Sequence, residues 1–187
     1  MEFYLIILIA FALAIDAFAV SFAAGSFYGK ATKRQKFRLS FHFGLFQFFM
    51  PILGWLAGSE IVKIVENYDH WIALLILIVI GGKMIIDSLS QNDNKVQNDI
   101  TKGFSLVNLS IATSIDALAV GFSLGIVNSD IIIPSIIIGI VASTMSLLGI
   151  KAGESLSHIF GRKISIFGGI VLILIGFHIL FKHLQWI

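Results

Sequence analysis

The chain of 187 residues has no cysteine, which excludes disulfides and thiolate metal ligation. It is also poor in charge. Asp, Glu, Lys and Arg make up 13% of it, where a soluble domain carries about a quarter. That charge is gathered into short stretches, so no soluble domain fits between them. There is no Walker-type phosphate loop, which argues against direct drive by ATP, and no cofactor is called for. The net charge of +2 reflects asymmetric loops and offers no surface for nucleic acid. The first apolar run lacks the basic leader of a signal peptide, carries Glu2 and holds Asp16 inside it. It therefore reads as a retained transmembrane helix.

What fills the chain is apolar sequence: 57% hydrophobic residues and a mean hydropathy of +0.95. The runs are about 18 residues or longer, enough to cross a hydrocarbon core of roughly 30 Å. Lipid demands helices or a closed barrel, and unbroken apolar runs without alternation point to helices. The sequence predicts an all-α integral membrane protein, a single transmembrane domain over 1–187 with spans near 3–27, 41–58, 70–88, 104–127, 132–150 and 164–184. One polar linker, 91–102, separates a first half (about 1–90) from a second (about 103–187). Lys30, Lys33, Arg34, Lys36 and Arg38 fill the first link, Lys95 and Lys102 the third, and Lys151, Arg162 and Lys163 the fifth. By the positive-inside rule these links are cytoplasmic and both termini face outward.

The two halves repeat one another. Ala12, Ile15, Asp16, Ala17, Ala19, Val20, Phe22 and Gly25 recur 100 residues later, from Ala112 to Gly125. Gly44, Met50, Leu53, Gly54, Ala57 and Gly58 recur at an offset of 95, as do Leu77, Ile78, Ile80 and Gly81. Each copy holds three spans, an odd number, so the second enters the membrane upside down. Six helices in a 3+3 inverted-topology repeat are expected, with a binding site at the midplane between the copies.

Asp16 and Asp116 lie near the centres of their spans. A charged Asp at the bilayer centre costs at least about 2.5–3.5 kcal/mol on insertion scales. Ala12, Ala19 and Ala23 share the face of Asp16, and Ala112, Ala119 and Ser123 that of Asp116. Such small residues let two helices approach. Two facing carboxylates are tolerable when a proton or cation lies between them, and their hard oxygens suit a divalent ion such as Mn²⁺, Mg²⁺ or Ca²⁺. Pro51 cannot donate to the carbonyl of Gln47, and the Gln47 side chain adds a second oxygen. Ser21, Thr113, Ser114 and Ser143 are further candidate ligands, beside Thr144 and Ser146. Met50 and Met145, related by the repeat, would supply a thioether favouring Mn²⁺, although a helical Met more often packs. The rival reading from another class, an intramembrane diaspartyl protease, also needs two buried Asp residues, but its GxGD-type sequence is missing.

The segments IDAFAVS, FGLFQFFMPILGW, HWIALLILIVIGGKMI and IATSIDALAVG resemble the bacterial manganese efflux pump family (MntP type), in the lysine-exporter-like superfamily. The resemblance runs over nearly the whole chain. It implies a six-helix inner-membrane secondary transporter that exports Mn²⁺, not an enzyme, with Asp16 and Asp116 as the central acidic pair. Gln47 stands where some members have Glu, which leaves one carboxylate fewer here. Charge balance adds an expectation of proton antiport. Export of another cation or a small basic solute is the alternative within transport.

Overall fold

The computed structural model describes residues 3–89, 99–126, 130–160 and 162–183, with side chains described outside 58–70, 162–165 and a few single helical positions. Most of the linker 91–102 thus lies outside the described residues. Among those residues the chain forms six helices and no strand: α1 (Phe3–Tyr28), α2 (Lys33–Leu89), α3 (Gly103–Ala112), α4 (Ile115–Ile126), α5 (Ile132–Phe160) and α6 (Arg162–His183). Phe3–Tyr28, Lys33–Ala57 and Ile132–Ser157 are each long and apolar enough to cross a membrane, and α3 with α4 would make a fourth if the bent pair counts as one span.

Local chemistry explains several boundaries. Gly29, with φ +64°, follows α1 and takes the left-handed conformation that ends a helix. Thr32 and Gln35 then form a reciprocal cap at the start of α2. The Gln35 amide donates to the Thr32 hydroxyl at 3.3 Å, and the Thr32 amide donates to Gln35 Oε1 at 2.8 Å. Asp130 accepts the Ile132 amide at 3.1 Å at the start of α5.

Two expectations need correction. The segment 59–69, expected to link two spans, is helical throughout, so α2 runs for 57 residues. That segment has neither Gly nor Pro, and nothing in it interrupts the hydrogen-bond ladder. A straight helix of this length would measure about 85 Å, far more than one crossing needs. Its two portions pack separately. Gly44 and Gly54 lie against α5 and α4, and Gly81 against α6. The fourth span, expected to be continuous over 104–127, is broken at Thr113–Ser114, where α3 and α4 meet at 44°.

The core is built from small residues and branched aliphatics: Ala17, Val20, Ala23 and Ala24 of α1 pack with Leu39, Phe43, Leu77, Leu109, Ile150 and Leu172. Backbones touch at the glycines. Gly25 leaves no room for a Cβ against Ile150, and Gly125 lies against Trp55. Gly54 abuts Leu118, and Gly149 abuts Phe18. Gly121 abuts Pro51, and Ser21 Oγ shares a 2.7 Å hydrogen bond with Ser146 Oγ. Gly44 and Gly139 face each other. Gly81 meets Gly169, and Gly176 meets Leu74. Every pair maps onto its companion, or onto itself, under the offsets of 100 and 95 read from the sequence.

Candidate functional site

The break in the fourth span is made by hydroxyls. Thr113 Oγ1 donates to the carbonyls of Leu109 and Ser110 at 3.0 and 3.2 Å. Ser114 Oγ donates to those of Ser110 and Ile111 at 2.7 and 3.2 Å. Back-bonding of this kind competes with the helical ladder and bends helices. The Ser114 amide accordingly reaches Ile111 O at 3.0 Å, a tighter turn than α. The equivalent positions on α1 are Ala10, Leu13 and Ala14, which have no hydroxyl, and α1 continues unbroken.

Gln47 enters this break from α2. It is fully buried. Its Nε2 donates to the Thr113 carbonyl at 2.7 Å and, more weakly, to the Leu13 carbonyl at 3.4 Å. Leu13 and Thr113 are themselves one repeat apart, and each lies three residues before an Asp. One carboxamide thus ties together corresponding points of the two Asp-bearing segments. Its Oε1 is buried and has no hydrogen-bond partner. A buried amide oxygen left unpaired costs about 1–3 kcal/mol, and buried polar atoms of this kind call for an explanation.

Asp16 is half-buried in the middle of α1, and Asp116 is exposed in the first turn of α4. Asp116 Oδ1 accepts the Ala117 amide at 2.9 Å. The N-terminal end of α4 carries partial positive charge, which suits a carboxylate. The enclosure expected around both acids therefore holds for Asp16 only in part and leaves Asp116 open. The remaining candidates divide. Thr113 and Ser114 are buried at the break. Ser21 is buried against Ser146. Ser143, half-buried, donates to the Ser40 carbonyl at 3.0 Å. Met50 packs at the edge of an apolar cluster with Ala10, Leu13, Ala117 and Ile138, and Met145 is half-buried on α5. Among the described residues no group of three His, Cys, Asp or Glu gathers to hold a metal. Sequence reasoning named Thr113, Ser114 and Gln47 but missed the break itself. Its signal was the hydroxyl run Ser110, Thr113 and Ser114.

Long apolar helices, one pair of them broken around a buried carboxamide and beside an acid, are those of a multi-pass membrane protein. The sequence profile of the family described as "Putative manganese efflux pump" matches residues 30–180. A relative from Syntrophotalea carbinolica is 47% identical over 176 residues, covering 94% of each chain. One from Maridesulfovibrio salexigens is 48% identical over 189 residues, covering 97% of this chain and all of its own. A third, from a Geobacter species, is 44% identical over 183 residues and 98% of each chain. All three carry the family description with the suffix MntP. The chain belongs to the manganese efflux pump family, a family of transporters rather than enzymes. No solved structure matches it.

Proposed function

We propose that the protein is a secondary transporter that exports Mn²⁺ from the cytoplasm in exchange for protons, through a site between two inverted three-helix halves. The observation that carries this reading is the Gln47 bridge. Its amide joins the Leu13 and Thr113 carbonyls, three residues before Asp16 and Asp116, and its Oε1 is left without a partner. An unpaired buried acceptor between two acid-bearing segments suits a cation better than it suits a packed core. The paired contacts across the fold support the 3+3 repeat, because a two-fold axis makes each contact twice. Broken spans near the midplane are where inverted-repeat transporters bind ions.

In this reading Mn²⁺ is cargo. Asp16 and Asp116 neutralise its two charges, and Gln47 Oε1 adds a hard neutral oxygen. The hydroxyls of Ser21, Thr113, Ser114 and Ser143 are engaged by other groups, so any ligation by them requires exchanging those bonds. Met50 and Met145 are thioether candidates of lower rank, given the apolar packing of Met50. Rocking of the halves opens the site to one side and then the other. Protons take the place of the metal on the carboxylates, which relieves the repulsion of two like charges on the return. Manganese as cargo, and its outward direction, are carried over from the names of the relatives. The basic links place the cytoplasm on the side of Lys30 to Arg38, with both termini outside.

The test is metal flux in sealed vesicles, comparing Mn²⁺, Mg²⁺, Ca²⁺, Zn²⁺ and Fe²⁺ with and without a pH gradient. Asp16→Asn and Asp116→Asn are each expected to abolish Mn²⁺ flux while still inserting into the membrane. Normal flux by either variant, or flux indifferent to the gradient, would overturn the corresponding part of the mechanism.

A further inference from the structure

At the basic end of the molecule, apart from Asp16 and Asp116, α2 and the start of α3 line an open pocket of about 510 Å³. Arg38, Thr101, Lys102, Phe104, Leu106 and Val107 are among its lining. We propose that this pocket holds the phosphodiester headgroup of an anionic phospholipid, with Arg38 and Lys102 as its counter-charges and the α3 wall as the bed for an acyl chain.

The electrostatics favour an anion. Among the described residues Asp99 is the carboxylate paired with both cations, 3.6 Å from Arg38 Nη1 and 3.4 Å from Lys102 Nζ. Two cations against one acid leave a surplus positive charge. Asp99 is also heavily engaged, since its Oδ1 accepts the Tyr28 hydroxyl at 3.1 Å and both the amide and the hydroxyl of Thr101. Arg38 Nη1 is buried and makes no hydrogen bond; Asp99 Oδ2, at 3.6 Å, holds it as an ion pair only, which leaves its donor capacity unspent. The ten-residue helix α3 begins here with no acidic residue in its first turn, and Lys102 at its N-cap makes no side-chain capping bond. Exposed amides and partial positive charge at such an end favour phosphate oxygens. His42 is not counted among the donors, because its Nδ1 is bonded to the Arg38 carbonyl at 2.8 Å.

The apolar lining selects lipid over a free anion. Phe104 follows the basic mouth immediately and is 86% exposed, and Leu106 and Val107 continue the same wall. A soluble phosphate gains nothing from that surface, whereas an acyl chain covers it. Basic pockets between membrane helices bind anionic headgroups for these reasons. The inference goes beyond the transport reading and does not depend on Asp16, Asp116 or the direction of flux.

Native mass spectrometry of the full-length protein, released from neutral detergent after incubation with phosphatidylglycerol or phosphatidylcholine, tests it. The wild type is expected to retain one phosphatidylglycerol in clear preference to phosphatidylcholine. Losing each cation should weaken retention about fivefold, so R38Q/K102Q should lose roughly twenty-five-fold. Lys30→Gln, an exposed charge outside the pocket lining, should change nothing. Lys102→Gln alone, at a side chain 62% exposed, covers the case in which the double variant fails to fold. Equal retention of the two lipids, or undiminished phosphatidylglycerol on Lys102→Gln, would overturn the proposal. Displacement of the lipid by excess inorganic phosphate would identify a free-anion site and overturn it too.

Discussion

Replacing Gln47 with Leu separates a structural role from a functional one. The substitution keeps roughly the same volume and removes the carboxamide. It takes the 2.7 Å donor away from the Thr113 carbonyl and the weaker 3.4 Å one from Leu13. Leaving the Thr113 carbonyl unpaired in a buried site costs about 1–3 kcal/mol. The same change removes Oε1, which is already buried and unpaired, and its relief is of the same size and opposite sign. The two effects offset to within about 2 kcal/mol, so thermal unfolding in detergent should move little. Transport should respond very differently. If Oε1 faces the cation, losing one ligand costs at least about tenfold in metal affinity, read as a raised half-saturating Mn²⁺ concentration in vesicle flux. Gln47→Glu keeps an acceptor oxygen and is expected to keep transport while changing its pH dependence. A Gln47→Leu protein that transports like the wild type would refute the reasoning. So would one that loses several kcal/mol of stability, because Gln47 would then be a structural clamp.

Other expectations follow from the packing and the loops. Gly121→Ala would drive a Cβ into the Pro51 carbonyl and should destabilise the α2–α4 contact by about 1–3 kcal/mol. Gly82→Ala meets nothing within 4 Å and should be neutral or add up to about 1 kcal/mol of helix propensity; unfolding temperatures of the two compared side by side decide it. Glu154 accepts the Ala31 amide and the Lys36 ammonium, both at 2.6 Å. Glu154→Ala should therefore loosen the α1–α2 connection by about 1–2 kcal/mol, after allowance for partial exposure, seen as faster proteolysis at Gly29 to Thr32. Burial works to raise the Asp99 carboxyl, but hydrogen bonds from Thr101, Tyr28 and Gln35 outweigh it and hold the group below its ordinary value of 3.8. A depressed carboxyl stabilises the fold above its unfolded value, and that contribution is lost as pH falls through the folded one. Hydrogen-exchange protection around Thr101, taken relative to the intrinsic rate at each pH, should thus stay constant down to about pH 4 and fall only below it. Asp99→Asn should remove that step.

The residues that stand out in the sequence do so for physical reasons that need no fold. An Asp alone in an apolar run is conspicuous because lipid penalises it, and its return 100 residues later marks a duplication. The same offsets reappear as paired contacts, Gly54 on Leu118 and Gly149 on Phe18 among them. Close backbone approach demands glycine at fixed places, and those places survive in both copies. Less legible was the local conformation. The break at Thr113–Ser114 and the unbroken helix through 59–69 both run against the boundaries drawn from hydropathy. Hydropathy measures transfer to lipid and is blind to whether a hydroxyl back-bonds or a polar stretch keeps its helix.

By itself, then, the chain determined its membrane class, its family and the spacing at which its two Asp-bearing stretches resemble one another. Each of these depends on residue type and spacing along one dimension. Only the tertiary structure decided that α3 and α4 part beneath Gln47 and that one carboxamide spans the Leu13 and Thr113 carbonyls. A serine or threonine in a helix is nearly balanced between bonding its own turn and leaving the ladder intact. A donor arriving from another helix, 66 residues away along the chain, tips that balance.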